Sequence, residues 1–206
     1  MKITLTDIGK RFNRQWIFKG ISFVFESSRS YALTGNNGSG KSTLLQLIFN
    51  FQTISKGEII YSLNQKILSD DELIHNIIYA APYLELIEEF TLTEMLNFHF
   101  GFFATQTGIK ISEIIEECGL AGNEHKHIRY FSSGMKQRLK LVLAIFSDTP
   151  LLLLDEPCSN LDENGIKWYR EKMNKQLGNR TIIIASNQRF EHDFCDQELN
   201  VSHFKP

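Results

Sequence analysis

The chain lacks any uninterrupted apolar run of the roughly 20 residues that a membrane-spanning helix needs. Its first residues, Met1-Lys2-Ile3-Thr4-Leu5-Thr6-Asp7, lack the long apolar core of a signal peptide. The polypeptide is therefore expected to be soluble by itself and to act at a membrane only through a partner. An excess of one charge is also missing: 22 basic residues stand against 24 acidic ones, for a net charge of −2. The two signs are interspersed, so no basic surface points to nucleic acid. Cysteine is scarce, and Cys118, Cys158 and Cys195 form neither an even set nor a C-x-x-C pair, which fits a reduced cytosolic compartment. No internal repeat, low-complexity segment or long linker interrupts the chain. At 206 residues it can bury a full core, most simply as one domain with room for an inserted subdomain.

What is present is dominated by Tyr31-Ala32-Leu33-Thr34-Gly35-Asn36-Asn37-Gly38-Ser39-Gly40-Lys41-Ser42-Thr43. Its core reads G-x-x-x-x-G-K-S, with an apolar run before it and the helix-forming Leu44-Leu45-Gln46-Leu47-Ile48 after it. Strand, glycine-rich loop and helix are the context in which such a loop holds phosphate. The glycines allow close wrapping with N–H groups turned inward, and the helix N-terminus adds a partial positive charge. Lys41 is placed to reach the β- and γ-phosphates and Ser42 to hold Mg²⁺, so binding of a nucleoside triphosphate is expected.

Along the chain, Lys2 to Thr6 and Ile17 to Phe25 alternate as strands, with Lys10-Arg11-Phe12-Asn13 between them as a polar loop. Phe12 could stack on a base or be a core or edge aromatic. The helix after the phosphate loop is expected to run to about Phe51. Ser55 to Glu58 turns into a strand at Ile59 to Tyr61, Asp70 to Asn76 is a short helix, and Ile77 to Ala81 is a buried strand stopped by Pro82. Thr93 to Phe103, Ser112 to Cys118 and Ser132 to Phe146 read as helices, with Thr93 and Ser112 as caps. Strands return at Leu151 to Leu154 and at Thr181 to Ala185, the latter suited to a parallel sheet covered on both faces. A helix from about Asp162 to Leu177 lies between them, and Gln197 to Phe204 suggests a short edge strand.

Leu151-Leu152-Leu153-Leu154-Asp155-Glu156-Pro157 is the second informative stretch: a buried strand ending in adjacent acids. Asp155 is expected to hold Mg²⁺ through its water shell and Glu156 to polarise the attacking water. Between the two stretches, Tyr130-Phe131-Ser132-Ser133-Gly134-Met135-Lys136-Gln137-Arg138 offers hydroxyls and free N–H groups at a helix start, which serves either capping or an anion.

In this order and spacing the pieces resemble the nucleotide-binding subunit of ATP-binding cassette (ABC) transporters, along essentially the whole chain. Gly35 to Ser42 resembles the family's Walker A motif, Leu151 to Glu156 its Walker B motif with the catalytic glutamate, and Phe131-Ser132-Ser133-Gly134-Met135 its Leu-Ser-Gly-Gly-Gln signature. Ser159-Asn160-Leu161-Asp162 matches the D-loop, and Phe12 falls where the family's adenine-stacking aromatic sits. The resemblance implies a head-to-tail sandwich of two subunits around two ATP molecules. Ser132 and Gly134 of one chain would meet the γ-phosphate held by Lys41 of the other. It also implies a helical block that transmits hydrolysis to a transmembrane permease subunit, on the cytoplasmic face of the cell membrane.

Two positions depart from the family pattern. Counting back from Thr91-Leu92-Thr93-Glu94, Pro82 stands where the family carries a metal-sensing glutamine, leaving no side-chain ligand and a stiffer hinge; Tyr83 or Glu85 is a weak substitute. Asn187, after Ala185-Ser186, stands where the family has histidine; its amide donates to phosphate but carries no charge or proton. His192 is expected on the next helix, facing elsewhere. ATP binding is thus expected intact and hydrolysis slowed, since losing one transition-state donor costs roughly 10²–10³ in rate. Of the other candidates, His125-Lys126-His127 reads as a solvated loop, His192 with Cys195 lacks further zinc ligands, and Lys136, Arg138 and Lys140 read as a solvated helix face. Phe98, Phe100, Phe102 and Phe103 read as core packing, with part of the cluster able to line a groove for a transporter's coupling helix.

The expected fold is α/β: a P-loop NTPase with a RecA-like, mostly parallel sheet, an antiparallel β subdomain and an inserted helical subdomain. The single domain divides into a nucleotide-binding core over 1–81 and 148–206 and a helical subdomain over 82–147. The expected function is an exporter-like ABC ATPase subunit, of the kind that includes haem export in cytochrome c maturation. It would bind ATP and Mg²⁺, pair as a homo- or heterodimer, and contact no nucleic acid. The rivals are an ATP-gated, hydrolysis-poor regulatory or structural subunit, and a non-transport ABC protein, for which the chain lacks a second cassette or a coiled-coil insertion.

Overall fold

Period-two alternation near the start of the chain builds one sheet, and short fully apolar strands build another. The computed structural model describes residues 1–206 apart from the side chain of Thr107. In the first sheet β1 (Lys2–Phe12) pairs antiparallel with β2 (Gln15–Phe25) and with β4 (Lys56–Leu63), which pairs with β5 (Lys66–Ile67). Ile3, Leu5, Ile8, Phe18, Ile21 and Phe25 bury one face. The expected loop at Lys10–Asn13 is instead strand up to Phe12. Arg11 pairs with Trp16 and Phe12 with Gln15, leaving only Asn13 and Arg14 as the turn. Asn13 takes φ 55°, the left-handed geometry that closes a tight hairpin.

The second sheet holds β3 (Ser30–Thr34), β6 (Ile77–Ala80), β7 (Leu151–Asp155), β8 (Thr181–Ala185) and β9 (Gln197–Asn200), in the order β6-β7-β8-β3-β9. β3 runs parallel to β8 and β9, and β7 parallel to β8. Every residue of β7 and β8 is buried, which is why both read as unbroken apolar runs without alternation. The predicted edge strand at the end of the chain is shorter than expected: β9 stops at Asn200 and Val201–Phe204 coil into a 3-10 turn. Helix α1 (Lys41–Ile48) follows β3 and buries Leu44, Leu45, Leu47 and Ile48. It ends before the expected Phe51 because Asn50 turns to φ 60°, leaving Phe51 exposed. A short α2 (Asp70–Ile74) carries a capping box of Ser69 with Glu72.

The chain separates into two compact units. The first comprises Met1–Tyr79, Pro150–Glu156 and Gln176–Pro206 and holds both sheets; the second comprises Ala80–Thr149 and Pro157–Lys175. The second unit is built from α3 (Leu92–Phe100), α4 (Ile111–Glu117), α5 (Ser133–Ile145) and most of α6 (Glu163–Gln176). Two expected caps are displaced by two residues. Thr91, not Thr93, caps α3: its hydroxyl accepts the Glu94 N–H while Glu94 accepts the Thr91 N–H at 2.7 Å. α4 starts after Lys110 rather than at Ser112, with Glu113 accepting the Lys110 N–H at 3.1 Å. No helix among the described residues is long and apolar enough to cross a membrane.

Candidate functional site

In the first unit the carboxyl ends of three neighbouring strands meet at one edge of the parallel sheet, where such sheets bind ligands. Leu33 of β3 pairs with Ala185 of β8, and Asp155 of β7 pairs with the same residue. The phosphate loop leaves β3 there, Glu156 follows β7, and Ser186-Asn187 follow β8. The edge therefore collects the residues singled out in two distant motifs and at the position where the family carries histidine.

The loop from Gly35 to Gly40 is closed by the Ser39 N–H donating to the Asn36 carbonyl at 3.0 Å and capped onto α1 by the Leu44 N–H donating to Gly40 at 2.8 Å. Gly40 takes φ 100°, and a Cβ there would lie 2.7 Å from Ile17 and 2.8 Å from Phe18. β2 thus presses against the loop, and only glycine fits. Asn36, Asn37 and Gly38 are exposed, as an anion cradle requires, whereas Ser39 and Lys41 are buried. Lys41 Nζ donates to the Gly35 carbonyl at 2.8 Å and to the Asn36 carbonyl at 3.3 Å. Burial pushes its pKa below the ordinary lysine value, and the charges of Glu156 and Asp155 partly oppose that. Ser42 and Thr43 begin α1, half-buried.

The two acids differ in environment. Asp155 is buried, and Tyr79 on β6 donates its hydroxyl to Asp155 Oδ2 at 3.2 Å. Glu156 is exposed and takes φ 42°, a left-handed conformation costly for a side chain with a Cβ. Its N–H donates to the Ala185 carbonyl at 2.9 Å, which holds the turn that swings the carboxylate out of the sheet. The carboxylates of Asp155 and Glu156 and the hydroxyl of Ser42 are oxygen donors of the kind a hard divalent cation takes.

Asn187 is exposed and its amide Nδ2 donates to Asn37 Oδ1, so the residue at the histidine position engages the phosphate loop directly. His192 corrects the sequence expectation. It follows a single 3-10 turn (Arg189–Glu191), is 5% exposed, and lines the same cavity of about 820 Å³ as Gly35, Asn36, Asn37 and Asn187. Phe12 sits at the end of β1, 47% exposed, with Lys10 Nζ 4.8 Å from the ring centroid; it is a surface aromatic rather than a core one.

The signature residues lie in the second unit. Ser132 caps α5, its hydroxyl accepting the Met135 N–H at 3.2 Å. Ser132, Gly134, Asn160 and Asp162 line one cavity of about 370 Å³, which brings the signature and the D-loop together. Asp162 Oδ1 accepts the Gly165 N–H at 2.7 Å at the start of α6. The basic residues of α5 are not a solvated face. Lys136 pairs with Glu88, Arg138 Nη1 donates to the Cys118 carbonyl at 3.2 Å, and Lys140 donates to the Pro82 carbonyl. The polar Gln137 is buried and donates to the Pro157 carbonyl at 2.7 Å. Sequence reasoning assigned no role to Tyr79 or Gln137; for Gln137 a signal existed, a polar residue at a core-facing helical position of α5.

Comparison with known proteins agrees with this geometry. The family model described as "ABC transporter" matches residues 18–159. The chain is 29% identical to the cytochrome c biogenesis ATP-binding export protein CcmA of Agrobacterium fabrum, over 92% of this chain and 90% of that protein. It is 30% identical to the ABC transporter ATP-binding protein YybJ of Bacillus subtilis, over 98% of this chain and 93% of that one. Among solved structures, an ATP-binding subunit of an ABC transporter superposes with a TM-score of 0.82 at 26% identity, over 98% of this chain and 87% of that one. A dimeric ATP-binding cassette in a post-hydrolysis state bound to ADP and Pi superposes with a TM-score of 0.80 at 18% identity, over 97% and 95% of the two chains. With the phosphate loop, the paired acids and the signature in these places, the chain belongs to the ABC transporter family as an ATP-binding, ATP-hydrolysing subunit.

Proposed function

We propose that the chain powers an exporter-type ABC transporter from the inner face of the membrane, through a separately encoded transmembrane permease subunit. Gly35 to Thr43 hold the triphosphate, Lys41 neutralises the β- and γ-phosphates, and Ser42 with Asp155 holds Mg²⁺. When bound, the cation draws charge from the phosphate oxygens. Glu156 takes the proton of the attacking water, Asn187 donates to the γ-phosphate, and Phe12 stacks on adenine. Ser132 and Gly134, with Asp162, meet the γ-phosphate bound by a second subunit. The division of labour is a catalytic core carrying the phosphate loop and a helical subdomain carrying the signature.

The observation that carries this reading is geometric: Asp155 of β7 and Leu33 of β3, which leads into the loop of Lys41, both pair with Ala185 of β8, and Glu156 follows at the same sheet edge. The permease and the dimer are supported by the names of CcmA, an export protein, and of the dimeric cassette. Turnover is slow in this reading, because Pro82 offers only a carbonyl, already taken by Lys140, and Asn187 brings no proton. Those same contacts favour a second reading, an ATP-gated subunit that hydrolyses little beside a more active cassette. Mg²⁺-ATP turnover decides between them. The first reading expects a measurable rate that Lys41→Ala and Glu156→Gln lower by about 10² or more and Asn187→His raises. ATP binding without turnover in every variant supports the second.

A further inference from the structure

The phosphate loop is held from a side that its own motif does not include. The peptide between Gly35 and Asn36 is gripped at both ends: its N–H donates to Ser202 Oγ at 3.1 Å, and its carbonyl accepts Lys41 Nζ at 2.8 Å. A planar trans peptide points its N–H and C=O in opposite directions, so fixing one end aims the other. Gly35 takes φ 131°, a region that constrains glycine little, so the peptide's orientation comes from its contacts and not from backbone preference. A Cβ at Gly35 would lie 2.5 Å from Ser202 Oγ and 3.1 Å from Asn200 Oδ1, which shows how closely this turn is seated.

The turn is itself anchored. Asn200 ends β9, pairs with Thr34 in the ladder immediately before the loop, and accepts the Ser202 N–H on Oδ1 at 2.9 Å. Val201 between them is fully buried. The ladder, the buried valine and the side-chain turn together set the position of the Ser202 hydroxyl relative to the loop.

We propose that Ser202, oriented by Asn200, is a positioning residue for triphosphate binding: it clamps the Gly35–Asn36 peptide so that the Gly35 carbonyl holds the Lys41 ammonium at the phosphate site. Without the clamp the N–H end of this peptide is no longer held, and Lys41 loses its shorter acceptor, keeping only the Asn36 carbonyl at 3.3 Å. The inference rests on Lys41 as the phosphate-binding lysine, and goes beyond it by assigning control of that lysine to the 3-10 turn after β9.

The test measures ATP dissociation constants and steady-state kinetics of Ser202→Ala, Asn200→Ala, Asn200→Ser and the Asn200→Ala/Ser202→Ala pair, with Lys41→Ala beside them. Loss of one such hydrogen bond predicts ATP binding weakened about three- to tenfold in Ser202→Ala, with KM raised by the same factor and kcat held within about twofold. Asn200→Ala weakens binding similarly, Asn200→Ser keeps an acceptor oxygen and restores it, and the double variant is no worse than about the weaker single, because both act on one clamp. Unchanged ATP affinity in Ser202→Ala and Asn200→Ala, or losses that multiply in the double variant, overturns the proposal. A fall in thermal stability alone, with affinity unchanged, shows a merely structural turn and overturns it too. Wild-type affinity in Lys41→Ala overturns the assignment of Lys41 itself, separately from the clamp.

Discussion

At the scale of single residues the site is built from exceptions to ordinary preference. Glu156 holds a left-handed φ of 42°, a conformation that costs of order 1–3 kcal/mol for a residue with a Cβ. The strain turns its carboxylate out of the sheet while Asp155, one residue earlier, stays buried. Glu156→Gly should relieve it, raising stability by about 1 kcal/mol and the melting temperature by about 2–4 °C, while hydrolysis is lost. Scanning calorimetry with a parallel turnover assay checks this, and a fall in melting temperature would refute the strain account. Residue identity at these positions was legible in the linear motif, because phosphate binding needs glycine, lysine and hydroxyl at fixed offsets. The φ of Glu156 was not, since nothing local in Asp155-Glu156-Pro157 demands it; the N–H bond to Ala185 on a neighbouring strand does.

At the scale of elements, α3 illustrates how packing creates a titration that sequence does not announce. His99 lies on α3 with Nε2 at 3.0 Å from the Leu143 carbonyl and 2.9 Å from Ser147 Oγ, and its ring stacks on Phe103. Burial pushes its pKa down to about 4 from an ordinary 6.5, with the Leu143 hydrogen bond opposing. The folded chain therefore keeps His99 neutral where the unfolded chain takes a proton. The stability is fully present above pH 6.5 and is lost as pH falls through 6.5 toward 4. Urea unfolding should show about 2 kcal/mol less stability from this residue near pH 5 than near pH 7.5, and His99→Gln should flatten that slope. Equal slopes in both proteins would exclude His99 as the source. Element boundaries show the same limit. The Thr91-x-x-Glu94 capping box is present in the sequence, yet the sequence reading puts the cap at Thr93; the backbone shows that it is the Thr91 hydroxyl that meets a free N–H.

At the scale of the whole molecule, ATP binds the folded chain and not the unfolded one, so it stabilises by mass action. At about 100 times the dissociation constant, Mg²⁺-ATP should add about 2.7 kcal/mol, a rise of roughly 5–10 °C in melting temperature for a chain of this length. Lys41→Ala should abolish the rise. Absence of a shift in the unsubstituted chain would contradict triphosphate binding at the loop. Sedimentation of Glu156→Gln with Mg²⁺-ATP should show a dimer that ADP does not support; a monomer with both nucleotides would count against the sandwich.

The α/β class, the phosphate loop, the paired acids and the family were all readable before any coordinates, because each rests on local chemistry: apolar runs that can only be buried strands, glycines where backbone must approach phosphate, carboxylates at a strand end. The contacts that unite them were not, because they join residues far apart in the chain. Asn187 meets Asn37, Tyr79 meets Asp155, Lys140 meets Pro82 and Ser202 meets Asn36 only after parallel strands have been brought into register and helices packed. His192, expected to face away, lines the phosphate-loop cavity because one short turn returns the chain from β8 to β9 beside β3. A motif states which groups a site needs; strand order and turn length decide which neighbours hold those groups in place.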